Sequence, residues 1–196
     1  MFANRFTAVV DACVLCSPLK RNLILSLAEA ELFRVRWSEE ILDETEKAIE
    51  ILLVKQRCED AADRATRARA AMNKAFVEAT VTDYDSLGNE IGKLPDEGDR
   101  HVIAAAIKSK ADIIVTENLK DFPKNMLAGY GIDAKSADEF IADAIDLNPA
   151  LAISAIKRMR LRLNKPEKTP EVLLLDMERI GLTQSADQLR DNVKLI

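Results

Sequence analysis

Short, continuous apolar runs alternate with longer segments of helical periodicity through the first two thirds of the chain. Patterns typical of buried parallel strands occur at residues 6–11, 33–37 and 113–115. Shorter strand candidates lie at residues 80–84 and 132–134. Because strands and helices alternate, the pattern predicts an α/β fold. We expect a doubly wound parallel sheet of about five strands with helices on both faces.

Capping signals mark where several of the intervening helices begin. Ser17 followed by Pro18 predicts a helix start after the first strand, and Ser136 with Glu139 forms a capping box after the last strand. Ser38, followed by two glutamates, predicts the start of a helix that reaches about residue 55. The apolar positions expected on the buried side of that helix are Ile41, Leu42, Ala48, Ile49, Leu52 and Leu53.

The rest of the chain is predominantly helical in pattern. Residues 59–79, rich in alanine and arginine, predict the second arm of a helical hairpin. Strand signals nearly vanish after residue 148, where residues 149–163, 169–180 and 185–195 predict three helices. The sequence therefore predicts a sheet domain over residues 1–146 and a helical extension over residues 147–196.

Composition limits the classes of protein that fit. With 196 residues, of which 48% are hydrophobic, the chain can bury a core. A net charge of -5 argues against a uniformly basic protein that coats nucleic acid, although an enzyme that acts on nucleic acid remains compatible. No apolar run reaches the roughly 18 residues that span a bilayer, and no leader pattern is visible, so we expect a cytoplasmic protein without membrane contact. Three cysteines do not indicate a disulfide framework.

Acidic and amide side chains fall where the carboxyl ends of parallel strands should meet. If the sheet is doubly wound, these side chains converge and can share a hard divalent cation, Mg²⁺ or Mn²⁺, which offsets the repulsion among carboxylates. The natural reaction at such a centre is hydrolysis of a phosphodiester. The candidate ligands are Asp11, Glu44, Asp99, Asn118 and Asp121, and the candidate supporting residues are Thr116, Asp96 and Ser38.

Four segments resemble the PIN-domain ribonucleases, in particular the VapC-like toxins of bacterial toxin–antitoxin operons. They are AVVDACVL (8–15), SEEILDE (38–44), DEGDRHVIAAAI (96–107) and IVTENLKDF (114–122), and together the resemblance covers roughly residues 6–140. The final helices resemble a carboxyl-terminal extension found in a subgroup of these toxins.

The resemblance implies a Mg²⁺- or Mn²⁺-dependent endoribonuclease that cleaves transfer or ribosomal RNA and so inhibits translation. It also implies a cognate antitoxin protein and a homodimer. Within this chain, Asp11, Glu44 and Asp99 would be the principal catalytic acids. Asp121, also catalytic, would complete the metal shell together with Asn118, while Thr116 would hold water or the backbone turn nearby.

Several alternatives remain open in the sequence. Cys13 stands where this family often has Asn or Ser, which puts the hydrogen bond from that side chain in question. Cys13 and Cys16 together could indicate a thiol oxidoreductase. A PIN nuclease of RNA processing that is not a toxin, or a binding module without catalysis, would also fit. Asp99 could serve as a helix cap, and Arg100 could contact phosphate or pair with Asp96.

Overall fold

A five-stranded, all-parallel sheet organises the computed structural model, which describes residues 6–88, 91–163 and 166–196. The strand order is β3-β2-β1-β4-β5, so β1 lies in the middle of the sheet, with β2 and β3 on one side and β4 and β5 on the other. The predicted doubly wound parallel sheet is confirmed. The strands are β1 (Thr7–Val10), β2 (Arg34–Ser38), β3 (Thr80–Val81), β4 (Ile113–Val115) and β5 (Asp133–Lys135).

The central strand β1 is buried along its whole length, as its unbroken apolar run predicts. Val9 pairs with Arg36 of β2 on one side and with Ile114 of β4 on the other. Strand β3 is shorter than predicted. Asp83 follows it with a φ of 59°, a left-handed backbone conformation that an extended strand cannot continue through.

Eleven α-helices connect and extend the strands within the described ranges. They are α1 (Ala12–Leu15), α2 (Pro18–Glu29), α3 (Glu39–Lys55), α4 (Ala61–Ala75), α5 (Asp85–Gly88), α6 (Arg100–Ser109), α7 (Lys124–Leu127), α8 (Ala137–Leu147), α9 (Pro149–Arg162), α10 (Pro170–Arg179) and α11 (Thr183–Arg190).

Helices α3 and α4 form the predicted hairpin. Arg69 of α4 joins the arms by pairing with three carboxylates of α3, at 2.7 Å from Glu39, 2.5 Å from Asp43 and 3.0 Å from Glu46. These three acids lie on one face of α3. Glu44 lies on a neighbouring face of the same helix and does not point towards Arg69. The expectation that Leu52 is buried is wrong, because its side chain lies near the distal end of the hairpin and is 38% exposed.

The capping predictions are confirmed at two of three sites. The Ser38 hydroxyl accepts from Ile41 N–H at 3.1 Å, and Ser136 and Glu139 form the complete capping box. Ser17 precedes α2 as predicted, but its side chain makes no capping hydrogen bond with the described residues. There the proline at the first helical position determines the start.

Helices α9 to α11 share one continuous hydrophobic core with the sheet region. The tie between α8 and α11 is polar: the buried carboxylate of Asp138 accepts from the backbone N–H groups of Gln184 and Ser185, both at 2.9 Å. The division of the chain after residue 146 stays a prediction. Across the described residues, none of the helices is both long and apolar enough to cross a membrane.

Candidate functional site

The carboxyl ends of β1 and β4 lie side by side and bring the first two candidate residues together. Asp11 directly follows β1, and its backbone N–H donates to Val115 O of β4 at 3.0 Å. Thr116 directly follows β4. Both side chains are almost fully buried, with Asp11 4% exposed and Thr116 0% exposed.

The Asp11 carboxylate is held by hydrogen bonds at both oxygens. Oδ1 accepts from Ala12 N–H at 2.6 Å, which also caps α1. Oδ2 accepts from the Thr116 hydroxyl at 2.7 Å and from the Cys13 thiol at 3.0 Å. Thr116 Oγ1 in turn accepts from Asn118 N–H at 3.1 Å, so Thr116 supports the backbone turn as expected and also orients Asp11.

Cys13 supplies the hydrogen bond that the sequence left in question. Its sulfur donates to Asp11 and accepts from Glu117 N–H at 3.3 Å. Burial and the charge of Asp11 raise the pKa of the Cys13 thiol to about 12. A redox-active first cysteine needs a lowered pKa, so the structure argues against the oxidoreductase hypothesis for Cys13 and Cys16.

Asp99 brings a second carboxylate to the same edge of the sheet. It ends a short 3₁₀ turn, Glu97–Asp99, that leads into α6, and Asp96 caps this turn by accepting from Gly98 N–H at 2.8 Å. Within the described residues, Oδ2 of Asp99 is buried and has no hydrogen-bond partner. Burial raises the pKa of Asp99 to about 6, and three nearby carboxylates add to the rise, those of Asp11, Asp96 and Asp121.

Asp121 arrives from the segment that follows β4. Asn118 precedes a 3₁₀ turn, Leu119–Asp121, which returns the half-buried Asp121 towards Asp99. The charges of three aspartates therefore act on Asp99 at this edge. We call Asp11, Asp96, Asp99 and Asp121 the aspartate cluster.

Glu44 reaches His101, which follows Asp99 by two residues, and the Glu44 side chain is half exposed. Its Oε2 is 3.5 Å from Nε2 of His101, whose Nδ1 is 2.8 Å from Gly98 O. Burial acts to lower the pKa of His101, but the contacts with Glu44 and Gly98 and the charge of Glu40 together outweigh it, and the pKa lies above its ordinary value. Glu44 and His101 line a pocket of about 350 Å³, together with Glu40 and Tyr84, whose hydroxyl donates to Glu40 at 2.9 Å.

Arg100 has a structural role, which differs from the two suggested by the sequence, a contact with phosphate or a pairing with Asp96. Its guanidinium pairs with Glu97 and donates to the carbonyl oxygens of Gly88 at 2.8 Å and Ile91 at 2.6 Å. It therefore fastens the loop before α6. The predicted pairing with Asp96 is wrong, because that carboxylate caps the 3₁₀ turn.

The donor set of the aspartate cluster is suited to a hard divalent cation. Within residues 6–88, 91–163 and 166–196, no three His, Cys, Asp or Glu side chains converge tightly enough to form a ready-made ligand group. The unpartnered Oδ2 of Asp99, surrounded by like charges, is nevertheless an oxygen that a cation would satisfy.

Comparison with known proteins decides the family. A family model described as PIN domain matches residues 7–120, more than half of the 196 residues. The chain belongs to the PIN domain family. A second family model, described as VapC50 C-terminal domain, matches residues 137–191.

One relative of this PIN-domain chain is named "Putative ribonuclease VapC50" and comes from Mycobacterium tuberculosis (strain ATCC 25618 / H37Rv). The two are 42% identical over 76 residues, which are 39% of this chain and 45% of the relative. The match thus spans less than half of the relative's length. No solved structure matches the chain significantly.

The contacts that sequence reasoning missed in this PIN domain involve Cys13 and His101. Cys13 was considered for redox chemistry, while its actual partners Thr116 and Glu117 lie more than a hundred positions away. His101 lies 3.5 Å from Glu44, a residue of a different helix. Its position five residues after Asp96 and two residues after Asp99 was the available signal.

Proposed function

We propose that this protein is a divalent-metal-dependent endoribonuclease that hydrolyses phosphodiester bonds of cellular RNA. The observation that carries the proposal is the buried Oδ2 of Asp99, which has no hydrogen-bond partner among the described residues and is subject to the charges of three other aspartates. Such a carboxylate is destabilised in the absence of a cation and matches the ligand preference of Mg²⁺ and Mn²⁺.

Asp11, Glu44, Asp99 and Asp121 are the proposed catalytic acids and metal ligands, with Asn118 as a further ligand. When bound, Mg²⁺ or Mn²⁺ would supply Lewis acidity towards the phosphodiester. The other side chains keep these ligands in place. Thr116 and Cys13 orient Asp11, Asp96 holds the turn before Asp99, and Ser38 caps the helix that carries Glu44.

We further propose that the enzyme is the toxin of a toxin–antitoxin pair and inhibits translation by cleaving transfer or ribosomal RNA in the cytoplasm. Membership of the PIN family and the match to the VapC50 C-terminal domain support this role. The partners are then a cognate antitoxin and a second copy of the chain in a homodimer.

The test is cleavage of purified RNA by the full chain with Mg²⁺, with Mn²⁺ and with EDTA. We expect cleavage with either metal, none in EDTA, and loss of cleavage in Asp11→Asn and Asp99→Asn with fold and RNA affinity nearly unchanged. Undiminished metal-dependent cleavage by both variants would contradict the assignment of Asp11 and Asp99 as catalytic residues. Growth arrest on expression, absent in the same variants, separates a toxin from a nuclease of RNA processing.

A further inference from the structure

A lysine and a glutamate form an ion pair at the rim of the site. Lys20, in the first turn of α2, places its Nζ 2.8 Å from Oε1 of Glu117. The lysine side chain is only 13% exposed, whereas that of Glu117 is 36% exposed. The acid therefore lies on the more solvent-accessible side of the pair.

This pair is joined to the aspartate cluster by covalent and hydrogen bonds. Glu117 directly follows Thr116, which donates to Asp11, and Glu117 N–H donates to the Cys13 sulfur, which also donates to Asp11. Burial raises the pKa of the Cys16 thiol, and the charges of Asp11 and Lys20 both act on that same thiol, in opposite directions. A positive charge thus lies next to the proposed catalytic centre.

An RNA substrate needs such a charge, because its phosphates must approach four carboxylates. Arg100, the obvious candidate in the sequence, uses its guanidinium on Glu97 and on loop carbonyl oxygens. Lys20 offers an ammonium group with three N–H donors. One of these donors is used on Oε1 of Glu117, at 2.8 Å.

We propose that Lys20 binds a backbone phosphate of the RNA substrate, and that Glu117 is an internal counterion that the phosphate displaces. The proposal rests on the function proposed above. In a purely structural role, the pair would only hold α2 to the segment after β4. The two roles predict opposite changes in RNA affinity when Glu117 is neutralised. Neutralising either residue breaks the ion pair equally. Only the loss of the Lys20 charge removes a phosphate contact, whereas the loss of the Glu117 charge leaves the Lys20 ammonium group free to bind phosphate.

The experiment measures binding of a fluorescein-labelled single-stranded RNA to the full chain by anisotropy, in EDTA, over a series of salt concentrations. The variants are Lys20→Gln and Glu117→Gln, with Lys20→Arg to retain the charge. Lys108→Ala is the matched control, because this exposed lysine lies in the last turn of α6, at the opposite end from the site. Thermal unfolding of each variant checks that it is folded.

We expect Lys20→Gln to weaken RNA binding roughly fivefold and to lower the salt slope by about 0.7, as for the loss of one phosphate contact on a single strand. Glu117→Gln should bind RNA more tightly than the wild type, and Lys20→Arg and Lys108→Ala should bind like it. If both glutamine variants weaken binding, or neither changes it, the proposal is wrong. Because nothing is cleaved in EDTA, that result leaves metal-dependent cleavage standing, whereas a wild type that neither binds RNA in EDTA nor cleaves it with Mg²⁺ or Mn²⁺ overturns both proposals.

Discussion

The Thr116 hydroxyl donates a hydrogen bond of 2.7 Å to Oδ2 of Asp11, although the two residues lie 105 positions apart in the sequence. The bond joins the ends of β1 and β4, which are neighbours in the sheet. It fixes the direction of the first proposed ligand before any substrate binds. Hydrogen bonds that orient metal ligands in this way contribute measurably to metal affinity and activity.

Replacing Thr116 with valine, which keeps the shape and removes the hydroxyl, is expected to lower Mn²⁺ affinity and RNA cleavage by about 10- to 100-fold. The measurements are Mn²⁺ titration followed by electron paramagnetic resonance, and initial rates of cleavage. Thr66→Val is the control, since that exposed hydroxyl donates to Glu46 of α3. Unchanged affinity and rate in Thr116→Val would show that Asp11 needs no orientation.

Cys13 is expected to resist alkylation in the folded protein. Its pKa is raised to about 12, so the thiol stays neutral at a pH near 9.0, the ordinary value for cysteine, and a neutral thiol is a poor nucleophile. Mass spectrometry after iodoacetamide treatment should show an unmodified Cys13 in the folded chain and a modified one after unfolding in urea. Rapid modification of Cys13 in the folded state, or cleavage that depends on reductant, would revive the thiol hypothesis.

The stability of the metal-free protein is expected to fall as the pH rises through about 6. Folding raises the pKa of Asp99 from 3.8 to that value, so the folded chain holds this proton more tightly than the unfolded chain does. The resulting stability is fully present below 3.8 and is lost as the pH rises through the folded pKa.

Urea unfolding in EDTA at a series of pH values tests this expectation. Asp99→Asn should be more stable than the wild type above pH 6 and should lack this component of the pH dependence. Asp187→Asn, at an exposed position of α11, should follow the wild type. If the stability of the wild type and of Asp99→Asn changed with pH in the same way, the charge of Asp99 would not destabilise the folded chain.

Asp138→Ala is expected to destabilise the folded chain by about 2–4 kcal/mol, because it leaves buried donors of α11 without an acceptor. The carboxylate accepts from four groups of α11: the buried N–H and hydroxyl of Ser185, and the half-buried N–H of Gln184 and hydroxyl of Thr183. The measurement is the free energy of unfolding in urea. Asp143→Ala, at an exposed position of the same helix, should cost no more than about 1 kcal/mol. Equal effects would show that Asp138 does not hold the two helices together.

Local signals in the sequence predicted most of the fold. The apolar runs marked β1, β2 and β4, and Ser38 and Ser136 marked helix starts, because strand burial and capping depend on residues within a few positions of one another. The position of strand β3 was predicted correctly, but its predicted length was too great. The αL backbone at Asp83 that ends it is set by the surrounding structure rather than by residue type.

The candidate site was predicted less completely, because its contacts join distant residues. Asp11, Asp99 and Asp121 could be assembled from the rule that strand ends meet at one edge. The partners of Cys13, the pairing of Glu44 with His101 and the use of Arg100 on a loop depend on side-chain directions that follow only from the packed fold. Lys20 was overlooked because one lysine in the first turn of an amphipathic helix resembles an ordinary surface residue.

The most direct test of the aspartate cluster is one Mn²⁺ titration of the metal-free full chain in which bound Mn²⁺ and RNA cleavage are measured at every point. In the wild type, cleavage should begin at zero and rise in step with the bound metal. Asp99→Asn should lose both the tight binding and the cleavage. Cleavage by the metal-free wild type, or equal binding and cleavage by Asp99→Asn, would contradict the assignment of this cluster as the catalytic metal site.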